Sequence, residues 1–435
     1  MEEFRRGGDL LNRPPHEANV AEQTEHSING GGLKFDYFSP NEKHRFNVFA
    51  SAQHINRDSY YGGGQDPNAY GNTTDLNWMA GSQYVYSFGK CIFMPADLTA
   101  GIEFNQDKLE DNMWGYHRTV DQKVNIGSAF FQNEWKNEHW GFLIGGRLDK
   151  HNLIDHVIFS PRANLRYNPT ENINLRFSYS SGFRAPQAFD EDLHVENVGG
   201  NVAMVELADN LKEERSQSLS ASADIYHRFG AFQVNFLVEG FYTKLSDVFA
   251  LTDGEIVDGI LTRTRYNAPG ARVMGLTLEG KMAYLTKFQL QAGITLQQSH
   301  YSEPHVWNKV APAVKKMMRT PNTYGYFTAT YTPIKPLSIA LSGTYTGSML
   351  VPHEPVPGFL EKPITVNTKD FFDIGLKAAY DFKLYKSMNL QVNAGVQNIF
   401  NAYQNDFDKG ADRDSGYIYG PSLPRSFFAG VKISY

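Results

Sequence analysis

The sequence predicts an all-β protein, specifically an antiparallel transmembrane β-barrel, and three observations indicate this. Seventeen stretches are predicted as strands, and several of them alternate apolar and polar residues closely with a period of two. Most exceed the roughly 9 to 11 residues that a tilted strand needs to cross a bilayer, whereas strands of soluble sheets average about 5 or 6. Short turns alternate with long loops between the strands. Because backbone groups in hydrocarbon must pair internally, such a sheet has to close.

The alternation is clearest between Asn172 and Ser180. One face holds Ile173, Leu175, Phe177 and Tyr179, and the other holds Asn174, Arg176, Ser178 and Ser180. A cation facing lipid near the bilayer midplane costs about 2 to 4 kcal/mol, so the face with Arg176 is predicted to line the lumen. The same argument predicts that Glu239 and Lys432 point inward.

The seventeen predicted strands follow each other along the whole chain after a polar start. They cover 24–38, 44–56, 75–87, 96–107, 119–135, 139–150, 157–167, 172–182, 215–228, 231–248, 271–284, 288–299, 322–332, 337–347, 370–384, 388–399 and 423–435. Residues 1–23 contain Pro14 and Pro15 and show no period, which predicts an external loop. Long loops are predicted at 57–74, 108–118, 183–214, 250–270, 301–321, 348–369 and 401–422.

Composition excludes several other classes of protein. The chain has 435 residues and a net charge of -6 without a basic block, which argues against nucleic acid as a partner. Cys91 is the only cysteine, so neither an intrachain disulfide nor a cysteine-rich metal site is expected. The sequence contains no run of about 18 apolar residues, so no membrane-spanning helix is predicted. The start of the chain lacks an apolar core, so no secretory signal peptide is expected in this sequence.

Three motifs carry a family resemblance. Residues 161–186, PRANLRYNPTENINLRFSYSSGFRAP, join two strands by a short turn and end in a Gly-Phe-Arg-Ala-Pro box. The segment VQNIF at 396–400 and the segment YGPSLPRSFF at 419–428 are the other two. Together they resemble the barrel signature of TonB-dependent outer-membrane receptors. The box residues are Gly182, Phe183, Arg184, Ala185 and Pro186.

The resemblance implies a barrel of about 22 strands in the outer membrane of a Gram-negative bacterium, filled by an N-terminal plug. Residues 24–435 are therefore expected to be the C-terminal part of such a barrel, without the plug, the signal sequence, the TonB-contacting segment and about five strands. The last strand would carry the signal for the barrel-assembly machinery. Its residues are Phe427, Val431, Ile433 and the terminal Tyr435.

The same resemblance implies uptake of a scarce nutrient complex, such as a ferric siderophore, haem or a cobalamin. External loops would bind the ligand, and the TonB complex would act through the plug. Two other functions stay open on the sequence, a barrel enzyme of the outer membrane and a passive porin. An enzyme is not expected, because the chain shows no GxSxG elbow and no clear His/Asp/Ser set.

Five residues of the long loops are candidate ligand contacts. Arg184 either binds an anionic ligand or anchors its loop by hydrogen bonds. His194 follows the Phe-Arg-Ala-Pro box and precedes Ala-Asp-Asn-Leu at 208–211, an order that resembles haem receptors, although an ordinary loop histidine has the same setting. Tyr60, Tyr61 and Trp307 either stack on a ligand or lie at the membrane rim.

The loop DFDKGADRD is a candidate calcium site. Asp406, Asp408, Asp412 and Asp414 stand at alternate positions around Gly410. Carboxylate oxygens at such spacing suit calcium. The loop lacks the distant bidentate Glu of a full calcium loop, and Lys409 and Arg413 oppose a cation, so a solvated acidic loop is the alternative.

Overall fold

The computed structural model describes residues 2–7, 12–385, 387–421 and 423–435, nearly all of them in strands or the loops that join strands. The strands are β1 Glu2–Gly7, β2 Val20–Phe38, β3 His44–Gly63, β4 Tyr70–Cys91, β5 Met94–Met113, β6 Arg118–Lys136, β7 Trp140–His151, β8 Ile158–Thr170, β9 Ile173–Arg184, β10 Glu196–Val198, β11 Asn201–Leu207, β12 Glu214–Phe229, β13 Phe232–Val257, β14 Ile260–Tyr284, β15 Phe288–His305, β16 Val314–Lys316, β17 Thr323–Ile334, β18 Leu337–Thr346, β19 Leu350–His353, β20 Ile364–Asn367, β21 Phe371–Tyr385, β22 Met388–Gln397 and β23 Ser426–Ser434.

Helical structure is confined to short pieces in the described residues. They are the α-helix α1 at Asp190–Leu193 and 3-10 turns at Pro15–Glu17 and Trp114–Tyr116. No helix in this part of the chain is long and apolar enough to cross a membrane.

Over the described residues, seventeen long strands form one antiparallel meander, which confirms the predicted fold class and strand order. They are β2–β9, β12–β15, β17, β18 and β21–β23, and each pairs with the next along this series. Every predicted strand overlaps one of them. The short strands β1, β10, β11, β16, β19 and β20 were not predicted, because they are too brief to show a period of two.

Three predicted loops are wrong over most of their length. Paired strands continue into 57–74, 108–118 and 250–270, and the pairing ends only at Tyr60↔Tyr70, Met113↔Arg118 and Val257↔Ile260. At this end the strands extend beyond the bilayer, where outward-facing residues need not be apolar, so the sequence no longer alternates apolar and polar residues. The backbone groups still need partners, and the ladder continues.

The prediction that residues 1–23 form a loop is also wrong in part. β1 pairs with β2 from Glu2↔His26 to Gly7↔Ala21, and β2 itself already begins at Val20. The remaining described residues include the 3-10 turn at Pro15–Glu17. Met1 and residues 8–11 lie outside the described part of the chain.

Strand register confirms that the three charged residues predicted to point inward share one face. Arg176 pairs with Ser222, and Ser222 pairs with Glu239. Lys432 pairs with Gln391, which pairs with Asp381. The register counted on through β18, β17, β15 and β14 gives Lys432 the same parity as Glu239 in β13. We call this the inner face and the opposite one the outer face.

Aromatic side chains collect on the outer face near the short turns. Trp140 stacks on Tyr167 with ring centroids 4.2 Å apart, and Phe232 packs on Tyr284 at 4.6 Å. Aromatic rings at such a level form the girdle of a transmembrane barrel where the apolar band meets the headgroups. The short turns therefore mark one membrane boundary, and the long loops lie beyond the other.

Neighbouring residues of β12 test the assignment of faces. Ala221 lies on the outer face, and Ser220 lies on the inner face. Ala221→Lys places a cation against lipid and should lower the free energy of unfolding by about 2 to 4 kcal/mol. Ser220→Lys should change it by less than about 1 kcal/mol. Urea unfolding in phospholipid bilayers, followed by tryptophan fluorescence, measures both, and equal losses would contradict the assignment.

Candidate functional site

Residues 185–213, which we call the cap segment, cross the loop end of the sheet. β11 pairs in parallel with β14, from Val202↔Ile260 to Leu207↔Arg265. Val195 and Met204 of the same segment belong to a buried cluster with residues of β2, β3 and β5. Six long strands, β6–β9, β12 and β13, lie between β5 and β14 in the sheet. Because the cap segment contacts both β5 and β14, the sheet must curve round it.

The start of the cap segment follows from its sequence. Pro186 cannot donate a ladder hydrogen bond and restricts Ala185 to extended backbone, so β9 ends at Arg184. The backbone N–H of Phe189 donates to Asp192 Oδ2 at 2.9 Å, which begins the single turn of α1. Acidic residues at the first turn of a helix are favourable, and α1 consists of Asp-Glu-Asp-Leu.

Four arginines from four different strands hold α1 in place. Arg57 Nη1 binds Asp190 Oδ1 at 2.7 Å, and Arg184 Nη2 binds Glu191 Oε1 at 2.5 Å. Arg265 binds both Asp192 and Glu191. Arg118 Nη2 donates to the backbone oxygen of Leu193 at 2.7 Å. These four arginines, which we call the arginine clamp, tie the cap segment to β3, β6, β9 and β14.

The clamp rests on a buried carboxylate behind it. Arg118 Nη2 lies 2.7 Å from Asp111 Oδ2, and the two side chains are 6% and 2% exposed. Thr73 Oγ1 donates to Asp111 Oδ1 at 2.6 Å. A carboxylate this deeply buried depends on such partners for its charge.

A second polar cluster joins the cap segment to three other loops. Arg263 Nη1 binds Glu196 Oε2 at 2.6 Å, and its Nε binds Asp253 Oδ1 at 3.1 Å. Asn308 Nδ2 donates to Asp253 and to Glu354 Oε2, at 2.9 and 3.1 Å. Burial, together with the charge of Asp253, raises the pKa of Glu354 to about 7.

A cavity of about 450 Å³ opens between β2, β3, the cap segment and the loop 398–425. It brings together predicted site residues from distant parts of the sequence. Tyr61, His194, Asp408 and Asp414 all line it, together with apolar side chains such as Val202 and Ile418. Its volume lies within the range of about 300 to 1,000 Å³ typical of small-molecule sites.

Of the predicted ligand contacts, some line the cavity and others are buried in the protein. His194 Nε2 lies 3.3 Å from Glu22 Oε1, and its ring meets Tyr61 edge-on at 5.0 Å. Tyr60 is 1% exposed and donates to the backbone oxygen of Asp66 at 3.0 Å. Trp307 is also buried. Tyr60 and Trp307 are therefore not positioned to stack on a ligand, because loops that were predicted to be open are packed against each other.

Arg184 and its neighbours in the Gly-Phe-Arg-Ala-Pro box lie at the base of the cap segment. The guanidinium of Arg184 stacks over Phe189 at 3.9 Å in addition to its ion pair. Phe183 packs against a small buried cluster that includes Ala185. At the other end of the chain, Phe427, Val431, Ile433 and Tyr435 are all well exposed on β23 or just after it.

The carboxylates of the candidate calcium loop bind protein groups. Asp406 accepts from the Tyr419 hydroxyl at 2.6 Å, and Asp408 Oδ2 lies 2.9 Å from His353 Nε2. Asp414 accepts backbone hydrogen bonds from Glu354 and Gly416, at 2.9 and 2.8 Å. Asp412 lies beside Gly200 of the cap segment. Over the described residues, no group of three or more His, Cys, Asp or Glu side chains is arranged to hold a metal ion. Calcium binding stays a prediction without support from this geometry.

The cavity wall carries charges of both signs, with Lys409 and Arg413 beside four carboxylates. The acidic wall residues Glu22, Glu196, Asp408 and Asp414 are each engaged by the protein groups named above. Lys409 is exposed and has no carboxylate partner within the described part of the chain. Lys409 and the apolar side chains are therefore the wall groups available to a partly apolar ligand with a negatively charged part.

A family model described as "TonB dependent receptor-like, beta-barrel" matches residues 6–399. The chain belongs to this family of TonB-dependent receptor barrels. The family membership predicted from the sequence motifs is thus confirmed. No curated protein matches the chain in sequence.

Solved structures of TonB-dependent receptors share the fold at low sequence identity. The siderophore receptor PirA from Acinetobacter baumannii has a TM-score of 0.70 and 14% identity, over 95% of this chain and 62% of that one. The ferric-catecholate import receptor Fiu from Escherichia coli K12 has a TM-score of 0.68 and 14% identity, over 95% and 64%. The FrpB iron transporter from Neisseria meningitidis has a TM-score of 0.65 and 15% identity, over 99% and 67%. The chain thus spans about two thirds or slightly less of these receptors' length.

Anchoring of its loop by Arg184 was one of the two predicted alternatives, and its ion pair with Glu191 confirms it. The rest of the arginine clamp and the second polar cluster of this receptor barrel were not predicted from the sequence. Arg57, Asp111, Arg263 and Glu354 come from separate strands and loops, and nothing in their local sequence marks them. Only the register of the long strands and the path of the cap segment bring them together.

Loss of one clamp residue should loosen the cap segment. Arg118→Met keeps the apolar stem but leaves Asp111 without its closest cation, which should cost about 3 kcal/mol. Hydrogen exchange of residues 185–213, measured by mass spectrometry on the full chain, should accelerate accordingly. Arg13→Met is the control, because Arg13 forms an exposed ion pair with Glu17. Unchanged protection of the cap segment in Arg118→Met would refute its anchoring role.

The raised pKa of Glu354 predicts that its loop loosens as pH rises. Below about pH 4.5 the carboxyl is protonated in both the folded and unfolded states, and it contributes nothing. Between pH 4.5 and 7 the unfolded state ionises first, and above pH 7 the folded state bears a penalty of about 3 kcal/mol.

Exchange of residues 350–356, corrected for its intrinsic pH dependence, should therefore show weaker protection at pH 8 than at pH 5. Glu354→Gln should flatten this profile. Glu361→Gln should preserve it, because Glu361 is an exposed residue of the same loop. A profile identical in Glu354→Gln and the unaltered chain would show that another group is responsible.

Proposed function

We propose that this chain is the ligand-capturing barrel portion of an outer-membrane receptor that imports a ferric siderophore. The observation that carries the proposal is the cavity at the loop end, which brings Tyr61, His194 and Lys409 to one place. The structures of similar fold bear the names of siderophore and iron receptors. Passage of the ligand would draw on the TonB complex acting through a plug domain, as the family resemblance implies.

The chemistry of the cavity supports an anionic chelate. Ferric siderophores of the catecholate type combine negative charge with flat apolar surfaces. The apolar wall, including Val202 and Ile418, suits such surfaces, and the exposed ammonium of Lys409 suits the charge. The acidic wall residues repel an anion, so we expect the charged part of the chelate at Lys409 and its flat surface on the apolar wall.

Other cargoes and functions have less support. Haem ligation by His194 would require its Nε2 to leave Glu22, which lies 3.3 Å away. A cobalamin would need no anionic recognition, so Lys409 gives it no advantage. The cap segment crosses the loop end of the barrel, which disfavours a passive porin. The geometry around the cavity serves binding, with the acidic groups held in ion pairs and backbone hydrogen bonds rather than beside a nucleophile.

Binding of defined cargoes to the full chain tests the proposal. The chain in detergent micelles is titrated with a ferric catecholate, a ferric hydroxamate, haem and cyanocobalamin, and quenching of tryptophan fluorescence measures each affinity. The ferric catecholate should bind most tightly. Lys409→Gln should weaken its binding about tenfold, the usual effect of losing one hydrogen bond to a charged group.

Lys335→Gln is the matched control, since Lys335 is exposed in a short turn at the opposite end of the barrel. It should leave every affinity unchanged. Preferential binding of haem or cyanocobalamin, or equal binding of the ferric catecholate by the Lys409→Gln variant, would reject the proposal.

A further inference from the structure

Four basic side chains form a row across neighbouring strands at the loop end of the outer face. Lys244 pairs with Arg272, Arg272 with His300, and His300 with Lys316. Because adjacent strands lie about 4.8 Å apart, the row spans about 15 Å. We call these residues the basic row.

Register places the basic row outside the barrel. Lys244 has the parity of Gly240 and Tyr242 in β13 and is opposite in parity to Glu239, which faces inward. Arg272 and His300 continue this outer row across β14 and β15. No carboxylate binds any of the four side chains within the described residues, and Lys244 and Arg272 are exposed.

The row lies at the depth of lipid headgroups. From Phe232, in the aromatic girdle, to Tyr242 the strand rises about 34 Å along its length, since each residue adds about 3.4 Å. At a tilt of about 40° this covers about 26 Å of membrane, close to the apolar band of about 25 Å seen in such barrels. Lys244 follows Tyr242 by one outward-facing position and so stands at the far boundary of the band.

An apolar groove of about 840 Å³ begins directly below the row. Ala221 and Gly240 form its floor, where small residues lower the outer surface. Its walls are Phe177, Leu276 and Leu296, and Tyr242 stands at its upper end. A Cβ added to Gly240 would meet nothing within 4 Å, so the floor is open.

We propose that this face binds an anionic lipid of the surrounding leaflet, with its phosphate on the basic row and an acyl chain in the groove. The charge of the row complements a phosphorylated headgroup, and the groove offers contact to a single chain immediately on its hydrocarbon side. The site is separate from the loop-end cavity, which opens between the loops. It rests on the proposed function only for the membrane placement of the chain.

Native mass spectrometry of the full chain in non-ionic detergent tests the headgroup contact. The probes are dioleoyl phosphatidic acid and dioleoyl phosphatidylcholine, which share acyl chains but differ in net charge. Phosphatidic acid should bind at least about tenfold more tightly. The double variant Lys244→Gln with Arg272→Gln should weaken its binding about 30-fold, as expected for two basic contacts near a membrane surface. Lys90→Gln, an exposed lysine near the short turns, should have no effect.

A second variant tests the groove without touching the charges. Gly240→Leu adds a side chain to the floor, where a Cβ meets no atom within 4 Å, and should weaken binding of phosphatidic acid by at least about tenfold, through lost contact with the acyl chain. Gly127→Leu is the control, because Gly127 is another open glycine on the outer face, in β6. Normal thermal unfolding of each variant shows that it has folded.

Three outcomes would overturn the proposal. The first is equal binding of phosphatidic acid and phosphatidylcholine. The second is unchanged binding of phosphatidic acid in Gly240→Leu or in the double variant of the basic row. The third is displacement of phosphatidic acid by inorganic phosphate at matched concentration. The last result would show a simple anion site without a lipid chain. Binding of ferric chelates at the loop-end cavity is measured separately, so either proposal can fail alone.

Discussion

The pairing of each long strand with its neighbours is the constraint on which the rest of the structure depends. In hydrocarbon an unpaired backbone group is too costly to leave, so each long strand from β2 to β23 pairs with the next in a defined register. That register decides which side chain meets lipid and which meets the interior. It also brings residues such as Lys244 and Arg272 side by side, although 28 positions separate them in the sequence.

Beyond the membrane the same ladder supports a different kind of construction. β13 and β14 continue far past the lipid boundary, and β11 joins β14 in parallel. This frame holds the cap segment across the loop end, where the arginine clamp fixes its single helical turn. Charged and hydrogen-bonded groups stabilise this end together with the buried cluster that contains Val195 and Met204. The membrane region relies on its ladder and on contact with lipid.

Much of the fold is predictable because polar side chains that face lipid cost free energy, and the strands therefore alternate apolar and polar residues. The alternation around Arg176 predicts the long strands, and the cost of a cation in hydrocarbon predicts the inner face. The loop end is less predictable because water removes that pattern. Tyr60 has the sequence context of an exposed turn next to Gly62, yet it is buried by residues far away in the chain.

The candidate site shows the same division. His194 and Tyr61 were singled out from local motifs and do meet at one cavity, because the cap segment returns across the sheet. The acidic loop around Gly410 has a spacing that suits a cation, but partners such as His353 and Tyr419 already occupy its carboxylates. Local spacing cannot reveal partners that a distant loop supplies.

The parallel pairing of β11 with β14 fixes the position of the cavity wall, whereas the side chains determine the chemistry of the wall. Main-chain hydrogen bonds set its position, and these bonds are indifferent to the identity of the side chains. Val202 lies on this strand and also lines the cavity. In a wall built in this way, single substitutions can change the chemistry of the cavity while the position of the wall in the barrel stays the same.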